Sequence, residues 1–233
     1  MRRAGFLVCV SLGAVLVLTG PAEPAPPDIY DLGFADFTGG SVLQWLAGKG
    51  FKPQRDAANT SKVVYTVADQ TLVQETRKQA LGLLLNEADI PGYTRIRIEW
   101  GVDIFPPGAS YTKGVRSDAV MVYVFFGKDK ISSGSLLIPN SPYFIGLFLC
   151  NSDPTDKPFK GRYFHAGGRY VCVDQAKVGE TVVTDYPVAE AFTRFFHKSP
   201  APEISGLGIA IDTDSAKTDG IAKAFINRIE FLK

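Results

Sequence analysis

Three acids fall within a short stretch near the C-terminus, AIDTDSAKTDG, where Asp212, Asp214 and Asp219 surround a cluster of turn-forming residues. Carboxylates with Thr213 and Thr218 hydroxyls beside them offer the hard oxygen ligands that Ca²⁺ takes. The spacing departs from an EF-hand loop, because Gly220 follows the third acid and no Glu stands at the twelfth position. A structural role competes with the metal: Asp and Thr side chains also cap turns through local backbone hydrogen bonds.

A second group is Trp100, Tyr111, Arg116, Asp118 and Tyr123, which lie on or beside two neighbouring strand-like segments. Aromatic rings stack on sugar faces while Arg and Asp hydrogen-bond hydroxyls, so this mixture suits a carbohydrate groove. Trp100 has a competing place in the core, because it shares the face of Ile96, Ile98, Val102 and Ile104. Glycoside hydrolysis needs two carboxylates flanking a bond at a set separation. Glu99, Asp103 and Asp118 are the acids nearest these aromatics. Nucleophilic catalysis is disfavoured: the histidines are His165 and His197, and no G-x-S-x-G elbow occurs. Neither zinc-ligand spacing nor a phosphate-binding glycine loop is present.

The elements that must carry these residues read as strands. From Ile29 onward, short runs rich in β-branched and aromatic residues alternate with Gly, Pro, Asn and Asp, the pattern of a sandwich or barrel. Expected strands cover 62–67, 71–76, 80–85, 94–104, 119–126, 135–138, 143–150, 162–173, 181–184, 204–212 and 224–231. In RIRIEWGVDI the apolar residues from Ile96 to Ile104 share one face and the charged residues the other. AVMVYVFF is apolar on both faces, as in a central strand covered on both sides. Val188, Ala191, Phe192 and Phe195 recur at helical spacing after Pro187, and 41–46 can form a turn of helix.

Residues 1–22 read as a signal peptide, with Arg2 and Arg3 before an apolar run from Phe6 to Leu18 that is too short to span a bilayer. The alternative is an uncleaved anchor. Residues 23–28 form a Pro-rich linker, and 29–233 a single domain. Lys plus Arg at 25 against Asp plus Glu at 24 leaves no overall surplus to point to nucleic acid or an anionic membrane. After cleavage two cysteines remain, Cys150 and Cys172. An oxidising compartment favours pairing them as a disulfide, with two buried thiols as the alternative.

The segments EWGVDIFPPGA, RSDAVMVYVFF, TVVTDYPVAEAF and GLGIAIDTDSAKTDGIAKAFINRIEFLK resemble, in order, the landmarks of domain-of-unknown-function family 3047, as does F-x-x-G at Phe37–Gly40. Two positions depart from that pattern: Ser117 precedes Asp118 where paired acids are usual, and Glu99 replaces a second Trp beside Trp100. The resemblance implies an exported bacterial protein with an all-β, jelly-roll-like sandwich, to which the helical spacing adds one short helix near 187–196. The resulting expectation is a periplasmic or secreted, non-catalytic module for a carbohydrate-like ligand, with turn capping by the Asp212, Asp214 and Asp219 segment and Ca²⁺ there as the alternative. An envelope protein partner or a polysaccharide hydrolase is the alternative.

Overall fold

The computed structural model describes residues 29–216 and 218–233; the expected signal peptide and linker lie outside the described residues. In chain order the elements are β1 (Ile29–Gly33), α1 (Val42–Gly48), β2 (Phe51–Arg55), β3 (Val63–Ala68), β4 (Thr71–Thr76), β5 (Leu81–Asn86) and β6 (Arg95–Ile104). There follow β7 (Asp118–Ile131), β8 (Ser141–Cys150), β9 (Pro158–Phe159), β10 (Gly168–Gln175), β11 (Thr181–Tyr186), α2 (Val188–Phe196), β12 (Ile204–Asp212) and β13 (Ala222–Leu232).

Alternation along each strand builds two walls around one core. One sheet runs β11-β6-β13-β4-β3, with β1 also on β13; the other runs β2-β5-β12-β7-β8-β10-β9. The fold is a jelly-roll-like β-sandwich. Ile96, Ile98, Trp100 and Val102 of β6 are fully buried, and Leu84, Val122, Val124, Leu147 and Ile209 meet them from the opposite sheet. Ile104, expected in the core, is 41% exposed because it ends its strand at the sandwich rim. Gln74 spans the two sheets, its amide donating to the carbonyls of Ala119 and Ala210.

The helix near residue 187 forms as α2, burying Val188, Ala191, Phe192 and Phe195 and stopping at His197 in the left-handed conformation. Phe192 packs 4.8 Å from Phe126, centroid to centroid. The segment expected as a turn of helix forms α1, where the Ser41 side chain accepts from the Gln44 N–H.

Cys150 and Cys172 form a disulfide, 5.7 Å between Cα atoms, tying β8 to its parallel neighbour β10. Residues 135–138 are not a strand: the Ser133 hydroxyl bonds the carbonyls of Ser135 and Ile138, which closes a turn and leaves Leu136 and Leu137 in solvent. The expected strand 162–173 starts only at Gly168, because Phe164 sits at φ 58° and breaks the extended run. Among the described residues no helix is long and apolar enough to cross a membrane.

Candidate functional site

Strand β7 lies at the centre of the seven-stranded sheet and is apolar on both sides; its outer side is covered near Met121 by the loop carrying Tyr111, while Tyr123 and Phe125 stay partly exposed. Val120, Val122 and Val124 point to the core, whereas Met121, Tyr123 and Phe125 point outward. Outward residues of the flanking strands complete the surface: Leu83 on β5, Ala210 and Asp212 on β12, Phe144 and Phe148 on β8, and Tyr170 on β10.

Tyr123 and Phe125 are half-buried, and their rings stack, 6.0 Å between centroids and 20° from parallel. Glycine makes this possible on the next strand. A Cβ at Gly208 would stand 3.2 Å from Tyr123 Cβ, 3.4 Å from Leu83 and 3.5 Å from the Phe125 ring, so its absence lets these side chains close over the strand. Tyr170 sits 6.3 Å from Tyr123 and extends the ring surface toward the sheet edge.

Residues 157–164 form the rim on that side. The Phe159 ring lies 5.4 Å from Tyr111, Gly161 packs on the Tyr170 ring, and Phe164 packs 5.4 Å from Phe144. Tyr111, in the loop before β7, stacks on Phe148 at 4.5 Å and is itself buried. Asp153 anchors that loop, accepting from the Ser110 hydroxyl and the backbone N–H groups of Tyr111 and Thr112. Burial opposes ionisation of Asp153, but these hydrogen bonds outweigh it and hold its carboxyl below the usual range.

Two further acids meet at the end of β7. Asp118 and Asp212 are paired across β7 and β12 at a break in register, which turns both toward the outer face. Asp118 is 2% exposed, and one carboxylate oxygen accepts the Tyr111 hydroxyl at 2.8 Å. Its other oxygen and the Ser117 hydroxyl are buried without a partner among the described residues, beside a cavity of about 10 Å³. That space admits nothing larger than a water. Burial, then the Asp212 charge, drives the Asp118 carboxyl well above the usual range; burial pushes Asp212, which is only half-buried by contact with solvent, up to about 7.

Of the ligand residues expected from sequence, Tyr111, Asp118 and Tyr123 come together on this face, and Arg116 stands beside it, close enough to act electrostatically on the Tyr170 hydroxyl. Trp100 does not join them. It is wholly buried in the opposite sheet, its indole N–H donating to Thr184. Glu99 and Asp103 also belong to that sheet, bonded to Asn227 and Lys223. The acidic turn divides: Asp212 joins the aromatic face and accepts the Asp214 N–H, while Asp214 and Asp219 are exposed, the latter bonded to Thr218. Among the described residues no three His, Cys, Asp or Glu side chains group so as to hold a metal. Phe125, Tyr170 and the anchor Asp153 escaped sequence reasoning; Phe125 carried a signal in its i, i+2 relation to Tyr123.

No family model matches the chain, and no curated protein does. Solved structures similar to it include the K2 cleaved adhesin domain of Lys-gingipain, 11% identical over 88% of this chain and 98% of that one, TM-score 0.39. Another is the Trichoderma harzianum endoglucanase 3 of family GH12, 8% identical over 90% and 100%, TM-score 0.41. A third is the metal-free lectin I-B4 of Griffonia simplicifolia, 9% identical over 87% and 98%, TM-score 0.37. Likenesses this distant carry no argument about ligand or activity.

Proposed function

We propose that the chain is an exported bacterial protein, a member of domain-of-unknown-function family 3047, whose seven-stranded sheet binds a carbohydrate-like ligand on its outer face. The observation that carries the binding reading is the Tyr123–Phe125 pair on the outer side of β7: two half-buried rings with near-parallel planes, 6.0 Å apart, packed closely over Gly208. Such rings present apolar faces to the C–H faces of sugars, while Asp212 and Arg116 at one end offer hydrogen bonds to hydroxyls. The Cys150–Cys172 disulfide supports folding in an oxidising compartment.

Hydrolysis is the second reading, because Asp118 and Asp212 form an acid pair with raised pKa values. Burial argues against it: Asp118 lies beneath Tyr111 and presents no oxygen to a bound glycosidic bond. A binding module needs no such access. The test is a thermal-shift screen of the mature, oxidised protein against a panel of polysaccharides, neutral and acidic, with Ca²⁺ and chelator arms. A ligand that prefers the native state raises the melting temperature. A shift for at least one glycan, absent in Tyr123→Ala, is expected; a panel without any shift overturns the reading.

A further inference from the structure

Arg116 is a half-buried cation in the loop before β7, between Val115, which bridges to Ser110, and Asp118 of the outer face, and it forms no ion pair among the described residues. Asp214 is exposed beside Asp212, and the other acids are held by protein donors or buried. Asp153 is bound to three donors of the 110–112 loop, and Asp156 pairs with Arg194 and the Tyr186 hydroxyl. Asp118 accepts from Tyr111, and both it and Asp212 resist ionisation through burial.

Charge on the rim has the same sign. Between Lys157 and Val173 the sequence holds Lys157, Lys160, Arg162 and Arg169, and no acid. Arg169 is committed to the fold: its guanidinium donates to the carbonyls of His165 and Gly168 and lies 4.7 Å from the Phe196 ring. The other three remain at the surface. Lys157 lies 5.5 Å over Phe159 and Arg162 5.5 Å over Tyr163, and none of the three forms an ion pair among the described residues. This cationic rim adjoins the rings directly, because Phe159 touches Tyr111 and Gly161 packs on Tyr170. The near balance of charge over the whole chain conceals it.

We propose that the ligand of this face is an acidic polysaccharide, with Arg116 receiving the carboxylate of a uronic-acid unit in a two-pronged ion pair. Lys157, Lys160 and Arg162 attract neighbouring units from the rim. A guanidinium matches a carboxylate in plane and in hydrogen-bond count, which a lone lysine does not. The proposal rests on the binding reading above and narrows it to a chemical class.

The experiment measures affinity of the mature protein for polygalacturonate, for the same polymer fully methyl-esterified, and for dextran sulfate, alongside a neutral glycan panel. Expected is binding to polygalacturonate at least about tenfold tighter than to its ester, lost about tenfold in Arg116→Gln and less in Arg116→Lys. Lys160→Gln and Arg162→Gln should mainly flatten the salt dependence of binding. Equal affinity for acid and ester, or binding of neutral glycans alone, overturns the proposal and leaves the binding reading in place. Dextran sulfate bound as tightly, with Arg116→Gln without effect, overturns it in favour of unspecific attraction. Failure of every glycan removes both. Unchanged circular dichroism of each variant ties a lost affinity to the site.

Discussion

A carboxyl whose pKa rises on folding binds its proton more tightly in the native state than in the unfolded one. Asp212, raised to about 7 from 3.8, is such a group. Below its unfolded pKa both states are protonated and it contributes nothing. As pH climbs from about 4 to 7 the unfolded chain loses the proton first, so stability falls, at most about 1.4 kcal/mol per pH unit. Asp212→Asn is therefore expected to flatten the stability-against-pH curve across that window and to raise stability at pH 8, as read by urea titration at several pH values. At the other extreme of burial, Trp100→Ala should cost about 3–5 kcal/mol through the cavity it leaves, with the glycan site untouched in whatever protein remains folded. Trp100 shows how far single residues were legible: alternation along RIRIEWGVDI placed it correctly in the core, and its aromatic type alone drew it into the ligand group.

Elements were legible where alternation was long and failed where it was short or overridden by side-chain hydrogen bonds. Strands β4 and β12 match their expected ranges, whereas β2 contains Pro53 and escaped notice because Pro cannot serve a central ladder. Its edge position resolves the conflict. The two-residue β9 and the five-residue β1 are too short for a periodicity to show. At this scale the close packing at Gly208 makes a prediction. Gly208→Val would force its branches against Tyr123, Leu83 and Phe125 and displace the two rings, so glycan binding should weaken by tenfold or more, on the order of 1.4 kcal/mol, in a protein that still melts cooperatively. The disulfide closes a loop of 22 residues, and Cys150→Ser with Cys172→Ser should lower stability by about 3 kcal/mol in denaturant titration.

Pairing between distant segments is what the chain conceals. Asp118 and Asp212 are 94 positions apart and were assigned to different chemistries, an aromatic groove and a metal turn, until the register of β7 on β12 set them side by side. The two-sheet architecture was readable because it follows from local alternation. Which face would carry a ligand was not, because both faces of β7 are apolar and only the partial exposure of Tyr123 and Phe125 distinguishes them. The most direct measurement is a calorimetric titration of the best glycan from the screen into the mature protein and into the Tyr123→Ala, Phe125→Ala double variant. Binding on the outer face predicts a saturable heat in the parent and a loss of at least about a hundredfold in the variant, some 2.7 kcal/mol. Undiminished affinity in a folded double variant would contradict it.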